Sequence, residues 1–127
     1  MKRHALLTAV TAVMLLTMLV ACATKTTPTT LPPGAINVLD AQTYIDLMGA
    51  QAALNAVKAD YASGKIPNTP ATKLALNSAI EAYNTAEASW QAVHAGKSGD
   101  TAGMQKSVAA AVQAVAQLIT TVSHGGA

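Results

Sequence analysis

Three stretches of the chain place apolar residues at alternating intervals of three and four, and short polar segments rich in glycine and proline separate them. From Asp40 to Tyr61 the stripe is Leu47, Ala50, Leu54, Val57 and Tyr61, while Asp46, Asn55 and Asp60 fall elsewhere around the wheel. This predicts an amphipathic helix with a narrow apolar face. Ser63-Gly64-Lys65-Ile66-Pro67-Asn68-Thr69-Pro70 interrupts it, and Thr69 as N-cap with Pro70 as first helical residue marks the next start. The second stripe runs Leu76, Ile80, Tyr83, Glu87 and Trp90, flanked by Ala79, Ala86 and Val93, and its helix should end near His94-Ala95-Gly96. After the turn Lys97-Ser98-Gly99-Asp100, where Asp100 or Thr101 can cap, a third stripe runs Met104, Val108, Ala111, Val115, Leu118 and Val122. Lys106, Gln113 and Gln117 lie off that stripe, and Gly125-Gly126 stops the helix.

Helices of about 22 to 25 residues are about 33 to 38 Å long at 1.5 Å per residue. Equal lengths and short links make neighbours antiparallel, so the expected fold is all-α, an up-down-up three-helix bundle over residues 40–127. The segments share spacing but no residue string, which sets aside solenoid repeats. The core material is small: no phenylalanine, one tryptophan and much alanine. Such a bundle buries little area per residue, and self-association or a partner could add burial.

The N-terminal part follows a different pattern. Met1-Lys2-Arg3-His4 precedes an uninterrupted apolar run, Ala5 to Ala21, with Thr8, Thr11 and Thr17 inside it. At 17 residues the run is short for a bilayer span and suits the apolar region of an export signal. Ala23 to Gly34 is dominated by threonine and proline and reads as an extended spacer, the larger part of a tether placed at residues 22–39. In polyproline geometry its 12 residues reach up to roughly 37 Å. Between run and spacer stands Cys22, the only cysteine, which can be a free thiol, an intermolecular link or a modification site.

Leu19-Val20-Ala21-Cys22, after that basic and apolar leader, resembles the lipobox of bacterial lipoproteins. The resemblance covers all four box positions and the leader, residues 1–21, about a sixth of the chain. It implies cleavage between Ala21 and Cys22, a diacylglyceryl group on the Cys22 thiol and an acyl group on the new amine. Two or three acyl chains, at about 0.8 kcal/mol per buried methylene, anchor far more firmly than one. In those families an acidic residue after the cysteine retains the protein in the inner membrane; Ala23 at that position implies the outer membrane, facing the periplasm. The bilayer, reached through Cys22, is thus the first expected partner.

Charge narrows the classes. The formal +2 comes from Lys2 and Arg3 in the leader; without them six lysines face six acids. They are scattered singly and no arginine remains, so the footprint of a nucleic-acid binder is missing.

Sites of chemistry are equally sparse. Gly96-Lys97-Ser98 ends like a phosphate-binding loop, but Gln91 stands where that motif needs glycine, and a helix precedes it. His94 and His124 lie at helix C-termini, where they suit the dipole and cap carbonyls. Pairing one of them with Met48 or Met104 would make a haem bundle, yet CxxCH is absent and no Cys/His/Asp spacing suits a structural metal. No G-x-S-x-G or H-E-x-x-H occurs, and the acids are dispersed, so an enzyme is not expected, nor any cofactor beyond the lipid on Cys22. Tyr83, Glu87 and Trp90 form the candidate interaction surface, with core filling as the alternative for the aromatic pair and a hydrated boundary carboxylate for Glu87. The expected function is a membrane-tethered, non-enzymatic structural or interaction module, binding a protein partner or itself through a helical surface. The alternative is a small-ligand or cofactor-carrying bundle, with a gap lined by Met, Tyr and Trp.

Overall fold

The computed structural model describes Leu31 and residues 33–125. The leader and Cys22 lie outside the described residues. Within them the chain forms three helices and no strand: α1 Val38–Ala62, α2 Pro70–His94 and α3 Thr101–Ser123.

The ends are set by local chemistry. Asn37 caps α1, its Oδ1 accepting from Asp40 N–H at 2.9 Å, so the helix begins two residues before the expected Asp40. Thr69 Oγ1 accepts from Thr72 N–H at 3.1 Å, with Pro70 in the first turn, and Asp100 Oδ1 accepts from Gly103 N–H at 2.8 Å. At the other ends Gly64 and Gly96 take φ of 76° and 67°. Lys65 N–H then reaches Asp60 C=O at 2.9 Å and Lys97 N–H reaches Ala92 C=O at 2.8 Å, the Schellman closure that a left-handed glycine permits.

The arrangement is the up-down-up three-helix bundle. The start of α1, the end of α2 and the start of α3 meet around Asp40, His94 and Met104, whereas Leu74 near the start of α2 lies beside Thr121 near the end of α3. α2 and α3 form the most extensive pair, and α1 rests on both. Their interface is built from Leu76, Ala79, Ala86, Val108, Ala111 and Leu118; small side chains there let the helix axes come close. α1 contributes Leu47, Ala50, Leu54 and Val57. The described residues cluster as one compact unit with all of this core inside it.

The second stripe is rotated from its expected position. Ala79 and Ala86 are wholly buried, while Ile80, Glu87 and Trp90 are half-buried at its margin, because close packing against α3 favours alanine at the centre line and leaves large side chains to fill the edges. The third stripe is buried from Met104 to Leu118, and Val122 is half-buried in the last turn.

Candidate functional site

Asp40 is the one buried acid among the described residues, 6% exposed, and it joins two helices. It is the third residue of α1, and Asn37 holds the turn that lets its carboxylate fold back: Oδ2 accepts from Ile36 N–H at 3.0 Å. Trp90 and His94, one turn apart at the end of α2, share a face and both reach it. Trp90 Nε1–H donates to Oδ1 at 2.8 Å, and His94 Nδ1 lies 3.0 Å from each oxygen. Antiparallel packing brings the start of one helix to the end of the other, so the carboxylate sits at a helix N-terminus and the imidazole at a C-terminus, both favourable to the dipoles.

Tyr44, one turn after Asp40, extends the cluster. Its ring centroid is 5.5 Å from Trp90, and Trp90 is 4.9 Å from His94, each pair tilted by about 30° to 40°. Two one-turn pairs, Asp40/Tyr44 and Trp90/His94, therefore close on each other. Pro33, Gly34 and Ala35 complete a shallow hollow of about 240 Å³ over them.

Burial alone would push the Asp40 carboxyl up. The hydrogen bonds from Ile36 N–H, His94 and Trp90, with the His94 charge, outweigh it and hold the group below the ordinary 3.8. Asp40 is therefore ionised, and both of its oxygens are engaged by donors. A carboxylate so occupied fixes side chains; it orients the His94 ring with Nδ1 toward α1. Asp40 and His94 supply two metal-binding groups, and no cluster of three or more His, Cys, Asp or Glu occurs among the described residues.

The residues singled out in the sequence are dispersed. Leu19, Val20, Ala21, Cys22 and Ala23 lie outside the described residues. Tyr83 is in the core, its hydroxyl pushed up by burial and by Glu87 and Tyr44 nearby. Glu87 and Trp90 are half-buried, and Trp90 turns its N–H toward α1. His124 Nδ1 lies 2.7 Å from Thr120 C=O, the expected cap of a helix end, whereas His94 engages the side chain of Asp40. Met48 is exposed and Met104 buried.

Sequence reasoning passed over Asp40 and Tyr44. The available signal was Asn37 three residues before Asp40, a capping arrangement that commits an acid to the helix start; the partners 50 and 54 residues away leave no local trace. Comparison with protein-family models, with curated proteins and with solved structures finds no match.

Proposed function

We propose that the chain is a lipid-anchored lipoprotein of the bacterial envelope whose helical domain is a non-enzymatic interaction module. The anchor is the acylated Cys22, and Ala23 directs it to the outer membrane, facing the periplasm. The observation that carries the module reading is that α1 has apolar residues on both faces. Leu47, Ala50, Leu54 and Val57 face the core, while farther along the helix Gly49, Ala52, Ala56 and Ala59 stand in solvent. From Gly49 to Ala59 the outer residues recur at intervals of three, four and three, the spacing of a helix-pairing seam, and glycine and alanine there admit a close second helix. A protein partner or a second copy would dock on that seam. Carriage of a small ligand finds less support, because the aromatic hollow of about 240 Å³ is below the usual size of ligand pockets.

Radioactive palmitate fed to bacteria expressing the full chain tests the anchor. Label is expected on the natural chain and none on Cys22→Ser, which should accumulate as uncleaved precursor; equal label would contradict the anchor. A photo-crosslinking residue at Ala52 tests the module. Protein adducts are expected from Ala52 and none from Gln113 on the exposed side of α3, and matching adduct patterns would contradict the seam.

A further inference from the structure

Six large apolar side chains near the start of the domain stand in solvent: Leu31, Ile36, Val38, Tyr44, Ile45 and Met48, each 44% to 60% exposed. Among the other described residues only Leu74 and Val112, on α2 and α3, are comparably open. All six fall between residues 31 and 48, where the tether enters, with Ile36 beside the end of α2 and the start of α3. Val38, Ile45 and Met48 share a helix face by their spacing of seven and three, and Tyr44 lies one turn before Met48. The face carries no charge. Asp40 is buried in the clasp, Asp46 follows Ile45 and so points about 100° away, and the first lysine of α1 is Lys58, beyond this end.

We propose that this edge of the domain lies on the bilayer surface, so that lipid holds the protein at two places, the acyl chains of Cys22 and the Leu31–Met48 edge. The proposal rests on the anchor reading above. Placement selects lipid over another occupant: Leu31 follows Cys22 by nine residues, which span at most about 30 Å when fully extended. An anchored chain thus holds this end of the domain, with the apolar edge on it, next to the headgroups at an effective concentration of about a millimolar. The chemistry agrees, since aliphatic side chains with a tyrosine at their border suit the boundary between acyl chains and water. Lys25 is the one cation between Cys22 and Lys58 and lies outside the apolar edge, so the contact is mainly apolar, neutral lipid suffices and salt has little effect.

The test supplies the tether independently of acylation. The mature chain with Cys22→Ser, which contains no thiol, is held through an N-terminal hexahistidine tag on phosphatidylcholine vesicles doped with a nickel-chelating lipid. An environment-sensitive fluorophore on Met48→Cys should shift to the blue and brighten about twofold or more on attachment, as a group entering the interface does. The same fluorophore on Val112→Cys should not change. Val38→Ser with Ile45→Ser, both at exposed positions, should cancel the Met48→Cys response while attachment and helix content stay intact, and raised salt should leave the response in place. No response from Met48→Cys on attached protein, or an equal response from Val112→Cys, overturns the proposal. A response that appears on concentrating the protein without lipid assigns the edge to a second copy and also overturns it. Missing palmitate on Cys22 in cells would overturn the anchor reading instead, and leaves this fluorescence result distinguishable from it.

Discussion

The α2–α3 pair and the seat of α1 are held by different physics. Between α2 and α3 the contact is apolar and small-grained, with Ala79, Ala86 and Ala111 wholly buried between larger aliphatic residues. Its energy comes from area and close approach, spread along the helices. α1 adds an aliphatic stripe of its own, but its N-terminal end is fixed by one carboxylate that gathers Ile36 N–H, Trp90 and His94. An apolar seam loses stability in proportion to what is removed. A polar clasp fails at once, because removing the shared acceptor strands every donor. The element with the outward apolar face is thus also the one whose N-terminal end is held by a single side chain.

The sharpest way to break the apolar half is Val115→Asp, which puts an unpaired carboxylate in the core of α3. The cost should be several kcal/mol, most of the roughly 5 to 8 kcal/mol a small bundle has. Loss of the cooperative thermal transition followed by circular dichroism would show it. Asp40→Ala comes next, at about 2 to 4 kcal/mol, for leaving the Trp90 and Ile36 donors unmet. Urea titration measures it, and a change below about 0.5 kcal/mol would mean that the clasp holds nothing.

Acid offers a milder route to the same group. Because the folded state lowers the Asp40 pKa, its contribution is full above the ordinary 3.8 and is lost as pH falls through the still lower folded value. Urea midpoints taken downward from pH 5 should fall less steeply in Asp40→Asn than in the natural chain. Parallel slopes would show that other carboxylates dominate acid unfolding.

Two glycines give a smaller contrast. Gly49, on the exposed side of α1, has open space where a Cβ would stand, so Gly49→Ala should stabilise by about 0.5 to 1 kcal/mol. At Gly103 a Cβ would collide with the Asp100 carboxylate that caps α3, so Gly103→Ala should gain less or lose stability. The smallest effect is expected for Gln113→Asp, exposed on α3, within about 0.5 kcal/mol.

What the sequence revealed follows the range of the interactions. Period and caps are local, so the three helices, the Thr69 cap, a cap at Asp100 or Thr101 that the structure resolves to Asp100, and the α3 stripe through Leu118 could be read directly. The centre line of α2 could not, because Ala79 outranks Ile80 only once α3 stands close against it. Trp90 reads in the sequence as interaction surface or core filling, because its acceptor is 50 residues distant, and Asp40 looks like any surface acid until the helices are antiparallel. His94 invited a local capping role of the kind His124 fills, and the fold gave it a carboxylate.

Hydrogen exchange resolved along the chain, compared between the natural domain and Asp40→Ala, tests most directly whether α1 is clasped onto a hairpin that stands by itself. The clasp predicts that exchange in the first turns of α1 and around Trp90 and His94 speeds up about tenfold or more, while Ala79 to Ala86 and Val108 to Leu118 keep their rates. Equal acceleration in all three helices would contradict it, showing that the bundle opens as one unit and that Asp40 has no special hold on α1.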